Sequence, residues 1–182
     1  MWLDETLTRA INGLAGSGGP ADTFVLAITN FGVPALVLLA ILNWWSPGDR
    51  PRIRHACVVS ALSLVLGLLI NFAVIIIVHR DRPYEMGISH LIVPKSVDWS
   101  FPSDHATAAF AIAGPFAMGH GVARRTLFLL LAVLVSLSRV YVGTHYVGDI
   151  AGGAVTGLAA AMAVAALYTH DTRLDRIVTG IL

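Results

Sequence analysis

Apolar side chains occur along this chain in five long runs separated by short polar links. The runs cover roughly residues 22–45, 54–78, 104–120, 126–142 and 147–168. A helix needs about 20 apolar residues to cross the hydrocarbon core of a bilayer. We therefore predict an all-α, polytopic membrane helix bundle with about five transmembrane helices, of which the third is short.

Residues 1–16 have a different pattern, in which apolar positions recur at helical spacing among polar ones. Trp2, Leu3, Leu7, Ile11 and Leu14 fall near the period of one helical face. The segment is too polar to span a bilayer, and it lacks the basic start and continuous apolar core of a signal peptide. We predict an amphipathic helix that lies in the membrane interface.

Composition also favours a membrane protein. The 182 residues are 56% hydrophobic and 13% charged, whereas about a quarter of the residues in a soluble domain are charged. The net charge of +1 and the lack of a long basic run argue against a nucleic-acid partner. At this length, residues 1–182 are expected to form a single membrane-embedded domain.

Basic residues are concentrated in the links after the first and third predicted spans and in the C-terminal tail. They are Arg50, Arg52, Arg54, Arg124, Arg125, Arg173 and Arg176. Five spans place these segments on one side, which the positive-inside tendency makes cytoplasmic. The 79–103 connection and the turn around Gly143 then lie on the outer side.

Three short segments on that outer side carry ionisable groups, which are costly near hydrocarbon and usually functional. They are HRDRPYE (79–85), FPSDHAT (101–107) and SRVYVGTHYVGDI (138–150). In the second segment, Pro102 and Ser103 predict a helix start with Ser103 as the N-cap. His105 would then lie in the first turn, where free N–H groups and the helix dipole favour a phosphate.

The remaining ionisable groups fit phosphate chemistry. His145 and Asp149 are four residues apart, so on a helix they would share a face, and a carboxylate there fixes the tautomer of the imidazole. Arg82 and Arg139 supply planar donors suited to phosphate oxygens. Each residue alone could be structural, and Asp149 could simply pair with Arg139. Zinc is a rival interpretation for His105, His145 and Asp149, but the arginines would repel a cation.

These segments resemble the three motifs of the type 2 phosphatidic acid phosphatase (PAP2) superfamily, KxxxxxxRP, PSGH and SRxxxxxHxxxD. The third motif matches in full, from Ser138 to Asp149. The second has Asp104 in place of glycine. The first keeps Arg82 and Pro83 but has Ile75 at the lysine position. The order of the motifs and the surrounding helices also agree, so the resemblance covers nearly the whole chain.

The resemblance implies a phosphatase that works through a phosphohistidine. His145 would attack phosphorus while Asp149 holds its ring. His105 would protonate the leaving group and then help to activate water. Arg82, Arg139 and Ser103 would hold the phosphoryl oxygens, whose stabilisation is most of the work in such transfers. No metal and no organic cofactor is implied.

Two departures from the family pattern occur in the same site. Arg80 is the predicted substitute for the missing lysine as a phosphate contact. Asp104 would either complement the dipole of the helix start or hold Arg80 in the vacant position. We favour the pairing with Arg80, because the missing cation and the extra anion occur together.

The small size, the N-terminal helix and the FPSDH segment look most like bacterial undecaprenyl-diphosphate phosphatases. These enzymes recycle the polyprenyl carrier of cell-wall synthesis, and some confer bacitracin resistance. The resemblance thus implies a multi-pass protein of the cell membrane with an extracytoplasmic active site. Its partners would be a lipid phosphate or diphosphate substrate and membrane lipids.

Three alternatives remain. A phosphatidylglycerophosphate or lipid A phosphatase would use the same scaffold. A membrane transporter would also place ionisable groups in a bundle, but near the midplane rather than at one mouth. A vanadate-dependent haloperoxidase shares the motifs but would be soluble. The sequence leaves the lipid and the oligomeric state open.

Overall fold

The computed structural model describes residues 2–119 and 121–180. Within those ranges the helices are α1 (Trp2–Asn12), α2 (Pro20–Asn43), α3 (Arg50–Ile77), α4 (Asp104–Ala117), α5 (Val122–Tyr141), α6 (Val147–Leu167) and α7 (Arg173–Thr179). No strand occurs in the described ranges, so the all-α prediction is confirmed. The sequence pattern did not predict α7. His120, the last residue of the predicted third span, lies outside the described residues.

Three helices of the described chain, α2, α3 and α6, are long and apolar enough to cross a membrane. Helix α5 has 20 residues but carries three arginines. Helix α4 has 14 residues, or about 21 Å at a rise of about 1.5 Å per residue, against about 30 Å of hydrocarbon. Most residues of α4 are buried, so the other helices rather than lipid surround it. The number of five spans stays a prediction.

Helix α6 approaches α4 so closely that glycine is required at the contact. A Cβ atom on Gly153 would lie 2.5 Å from the carbonyl oxygen of Ser103, and one on Gly157 would lie 2.5 Å from that of Thr107. Any larger residue would therefore collide with the backbone of α4, as at other close crossings of membrane helices. This contact fixes where α4 begins, measured along the bundle axis, relative to α6.

The three basic segments meet at one end of the bundle. Arg124, at the start of α5, donates to Asn43 Oδ1 at 3.0 Å and to Ser46 Oγ at 2.6 Å after α2. Arg54, at the start of α3, donates to the carbonyl oxygen of Thr179 in α7 at 2.8 Å. The grouping that the sequence pattern predicts is therefore present, and the segments at 79–103 and around Gly143 lie at the opposite end.

Helix α1 is amphipathic, as predicted, but its polar face is the one that packs on the protein. Thr8 and Asn12 are buried, and Thr8 Oγ1 accepts a hydrogen bond from the Val147 N–H at 3.1 Å. Trp2, Leu3 and Leu7 are exposed. An outward apolar face is what a helix at a membrane interface needs.

Candidate active site

The three predicted segments enclose a cavity of about 110 Å³ at the end of the bundle opposite the basic links. Its lining includes Arg82, Asp104, His105, Arg139 and His145. A larger groove of about 450 Å³ lies between α2 and α3, but its lining is almost wholly apolar. The predicted groups thus converge on the small polar cavity.

His145 lies just before α6, and a backbone carbonyl fixes its ring. Its Nδ1 lies 2.8 Å from the carbonyl oxygen of Ser100 and 3.6 Å from Asp149 Oδ2. A carbonyl oxygen only accepts hydrogen bonds, so Nδ1 carries the proton. Nε2 therefore keeps its lone pair, and it lies 3.4 Å from Arg82 Nη1 at the cavity. This is the tautomer in which an imidazole can act as a nucleophile.

The surroundings of His145 also control its charge. Burial lowers the pKa of His145, the contact with Asp149 opposes that change, and the charge of Arg82 adds to the lowering. Since the ordinary pKa of histidine is about 6.5, the lowered value leaves the ring neutral at pH 7. Only the neutral ring has the lone pair.

Asp149 lies in contact with His145, as the spacing predicted, but its Oδ2 is 3.6 Å from Nδ1, too far for a direct hydrogen bond. His145 precedes α6, so the prediction that the two residues share a helical face is wrong. Asp149 Oδ2 instead accepts from Ser100 Oγ at 2.5 Å and from the Tyr146 N–H at 2.9 Å, so it caps the start of α6. Its Oδ1 accepts from Arg80 Nη1 at 2.6 Å. Ser100 is thus the bridge between Asp149 and His145.

Arg82 and Arg139 both line the cavity, but their donors are engaged differently. Arg82 donates to the carbonyl oxygens of Asp98 and Thr144, each at 2.9 Å, and to the Asp98 carboxylate at 2.7 Å. Arg139 is buried, and its Nε has no hydrogen-bond partner among the described residues. Its Nη1 makes only a long contact of 3.5 Å with Thr29 Oγ1. An unsatisfied buried donor is costly, so Arg139 is the arginine with capacity left for an anion.

The start of α4 agrees with the prediction. Ser103 is the N-cap residue and His105 lies in the first turn. Ser103 Oγ makes no capping bond, and it is buried with no partner in residues 2–119 and 121–180. Ser103 is not among the described residues that line the cavity, although its neighbours Pro102 and Asp104 are.

The structure contradicts the predicted pairing of Arg80 with Asp104. Asp104 Oδ1 accepts from Asn71 Nδ2 at 2.8 Å. Arg80 contacts Asp149 through Nη1 and Asp4 through Nη2, each at 2.6 Å, and it is not among the described residues that line the cavity. Asn71 lies one helical turn before Ile75, the lysine position of the family motif. Two carboxylates occupy the Arg80 guanidinium, so it does not fill that position.

Three residues of this network were not predicted. Ser100 and Asp98 lie directly before the FPSDHAT segment, so their place beside a motif was an available signal. Asp4 gave no such signal, because 76 residues separate it from Arg80. Only the folded position of α1 brings Asp4 to the site.

Comparisons with known proteins agree with this geometry. The sequence profile of the PAP2 superfamily matches residues 54–173. The undecaprenyl-diphosphatase BcrC of Bacillus subtilis is 30% identical over 158 residues, which are 86% of this chain and 79% of that protein. The bacitracin transport permease protein BcrC of Bacillus licheniformis is 37% identical over 162 residues, which are 86% of this chain and 76% of that protein.

A solved structure shows the same fold. It is the first transmembrane PAP2 type phosphatidylglycerolphosphate phosphatase from Bacillus subtilis, with a TM-score of 0.67 and 24% identity. The match covers 91% of this chain and 84% of the other. This chain therefore belongs to the PAP2 superfamily and is a membrane phosphatase, similar in sequence to undecaprenyl-diphosphatases.

Proposed function

We propose that this phosphatase converts undecaprenyl diphosphate to undecaprenyl phosphate through a phosphohistidine, at the extracytoplasmic face of the cell membrane. The observation that carries the proposal is the tautomer of His145. Its protonated Nδ1 is bonded to a carbonyl oxygen, and its Nε2, which carries the lone pair, lies at the polar cavity and accepts a long hydrogen bond of 3.4 Å from Arg82 Nη1.

The first step transfers the terminal phosphoryl group to the enzyme. Nε2 of His145 attacks the terminal phosphorus while the bond from phosphorus to the bridging oxygen breaks. His105, protonated in the substrate complex, gives its proton to that oxygen, and undecaprenyl phosphate leaves. Arg139, Arg82 and Ser103 stabilise the charge on the phosphoryl oxygens, which is the main contribution in such transfers.

The second step regenerates the enzyme. His105, now neutral, takes a proton from a water molecule that attacks the phosphorus of the phosphohistidine. The bond between nitrogen and phosphorus breaks, inorganic phosphate leaves and His145 regains its lone pair. Both steps use the chain's own residues, and no metal ion is needed to balance them.

A membrane-bound substrate suits the surroundings of the cavity. The exposed apolar side chains of Trp2, Leu3 and Leu7 support a position of α1 in the membrane interface, and α1 packs against the start of α6. A long polyprenyl tail can therefore stay in the bilayer while its diphosphate enters the cavity. Carrier recycling of this kind would serve cell-wall biogenesis and protect against bacitracin. One relative is named an undecaprenyl-diphosphatase and another is named for bacitracin.

Phosphatidylglycerophosphate or lipid A phosphate is the second candidate substrate class. The observation that favours it is the shared fold with the phosphatidylglycerolphosphate phosphatase. A transporter agrees with the name of one relative, the bacitracin transport permease protein, but the described ionisable groups that line the polar cavity lie at one end of the bundle and not near its middle.

A substrate panel tests the choice of lipid. The purified protein in lipid vesicles is given undecaprenyl diphosphate, phosphatidylglycerophosphate and lipid A 1-phosphate, and phosphate release is measured, with His145→Ala as the blank. We expect kcat/KM to be highest for undecaprenyl diphosphate by about tenfold or more. Its leaving group is a phosphate ester, which departs more readily than the alkoxide of the other two lipids, and contacts with the polyprenyl tail add to the discrimination. A higher kcat/KM for either other lipid would replace this substrate assignment.

Thiol labelling tests the orientation. In a Cys57→Ser background, Met86→Cys lies in the connection at the cavity end, and Val122→Cys lies at the basic end. Both native side chains are exposed, at 59% and 70%. In intact cells we expect an impermeant thiol reagent to label Met86→Cys and not Val122→Cys, because the basic end faces the cytoplasm. Lysed cells, in which both should react, are the control. The reverse pattern in intact cells would place the cavity on the cytoplasmic face.

A further inference from the structure

Asp4 joins helix α1 to Arg80 beside the candidate active site. Asp4 Oδ2 accepts from Arg80 Nη2 at 2.6 Å, and Asp4 Oδ1 accepts from the Gly148 N–H at 2.7 Å. The other terminal nitrogen of Arg80 donates to Asp149 Oδ1 at 2.6 Å. One guanidinium thus joins a carboxylate of the interfacial helix to the carboxylate beside His145.

The guanidinium of Arg80 is held in a defined direction. Its Cζ lies 3.9 Å from the centre of the Tyr146 ring, a distance at which the cation and the ring attract each other. The carbonyl oxygen of Arg80 accepts from the Ser100 N–H at 2.8 Å. Arg80 therefore contacts Ser100 through its backbone and Asp149 through its side chain, and these are the two residues that surround the Nδ1 of His145.

Asp149 depends on this cation. Its side chain is fully buried, and a buried carboxylate is tolerated only when it is paired and hydrogen-bonded. Ser100 Oγ and the Tyr146 N–H satisfy Oδ2, whereas Arg80 is the partner of Oδ1. Arg80 therefore fixes the orientation of the carboxylate together with the two donors to Oδ2.

We propose that Asp4 is a positioning residue for the nucleophilic histidine. Asp4 orients Arg80, Arg80 orients Asp149, and Asp149 orients Ser100, whose carbonyl oxygen holds the ring of His145. The inference rests on the proposed role of His145, and it does not depend on which lipid is the substrate. It makes α1 part of the catalytic unit as well as an interfacial anchor.

The Asp4→Asn variant is the direct test, made in the full chain in lipid vesicles with the lipid that the wild type hydrolyses fastest. Asparagine keeps an oxygen for the Gly148 N–H and removes the charge that faces Arg80. We expect kcat to fall about tenfold, the lower end of what outer-shell partners of histidine contribute at metal sites. KM should stay within about twofold, because neither Asp4 nor Arg80 lines the cavity.

Glu5→Gln is the matched control. It removes the same charge from the same turn of α1, and Glu5 is not one of the two carboxylates bonded to Arg80. Its kcat should equal that of the wild type. If kcat fell equally in Asp4→Asn and Glu5→Gln, the loss of negative charge from α1 would explain both results without the contact between Asp4 and Arg80. That outcome would overturn the proposal.

A double-mutant cycle separates positioning from a structural role. If Asp4 acts through Arg80, then Asp4→Asn with Arg80→Gln should lower kcat no further than Arg80→Gln alone. The inhibition constant of inorganic phosphate should be unchanged in Asp4→Asn, since the cavity itself is intact. A purely structural role would instead lower the unfolding temperature and leave kcat per folded molecule unchanged, which would refute positioning.

The activity of His145→Ala distinguishes a failure of the proposed mechanism from a failure of the role of Asp4. Activity that persists in His145→Ala would remove the proposed mechanism and this inference together. An inactive His145→Ala with a fully active Asp4→Asn would refute only the role of Asp4.

Discussion

Phosphate release by the His145→Ala variant is expected to fall to background, at least about 10⁴-fold below the wild type. The reason is that Nε2 of His145 is the nitrogen whose lone pair faces the cavity beside Arg82. Asp149→Asn should retain a small residual rate, because Ser100 still offers its carbonyl oxygen to the ring while the charge opposite Arg80 is lost. Initial rates with the preferred lipid measure both variants.

Trapping the intermediate tests the same assignment independently of rate. Wild-type protein quenched during turnover of a phosphorus-labelled substrate should carry an acid-labile label on His145. His90→Ala, which alters a histidine whose side chain does not line the cavity, should be labelled normally and is the control. Label on another residue, or substantial turnover by His145→Ala, would rule out the phosphohistidine on His145.

The two arginines of the cavity should respond differently to removal. Arg139→Ala is expected to lower kcat/KM about 10²- to 10³-fold, the usual effect of losing one donor to the transition state. Its unfolding temperature should stay the same or rise, because the variant removes a buried guanidinium whose Nε has no partner in the described chain. Kinetics and thermal unfolding of the same preparation give both quantities.

Arg82→Ala should lose stability as well as activity. The carbonyl oxygens of Asp98 and Thr144 would lose their donor, and the Asp98 carboxylate would lose its cation. Arg176→Ala, at the basic end, is the control and should change neither quantity. An Arg139→Ala variant whose unfolding temperature is as low as that of Arg82→Ala would contradict the view that the Arg139 guanidinium binds the substrate and does not stabilise the fold.

The sequence was sufficient for the parts of the fold that depend on averages over many residues. Helices α2, α3 and α6 follow from sustained hydropathy, and the start of α4 follows from the local preferences of Pro102 and Ser103. Helix α7 was missed because it is only 7 residues long. At its start Thr172 Oγ1 accepts from the Asp175 N–H at 3.2 Å, and a single capping residue is a weak signal in a sequence.

The candidate site shows the same division. Motif spacing brought His105, Arg82, Arg139 and His145 to one cavity, because those side chains face it directly. Spacing could not show that a backbone carbonyl, that of Ser100, holds the His145 ring, because any residue supplies a carbonyl oxygen. It also gave the wrong partner for Arg80, since proximity in the motifs favoured Asp104 while tertiary packing delivered Asp4.

The glycine contact between α4 and α6 bears on how one scaffold could come to serve different lipids. In-line displacement requires the attacking and departing atoms to lie on opposite sides of phosphorus, along one axis. With the backbones of α4 and α6 touching at Gly153 and Gly157, the two helices that lead from the histidines cannot slide past each other. The fold therefore fixes the distance between His105 and His145 along that axis. We therefore expect differences in substrate preference to lie in the 79–103 connection, among residues other than Arg80, Arg82 and Ser100, which support or face His145.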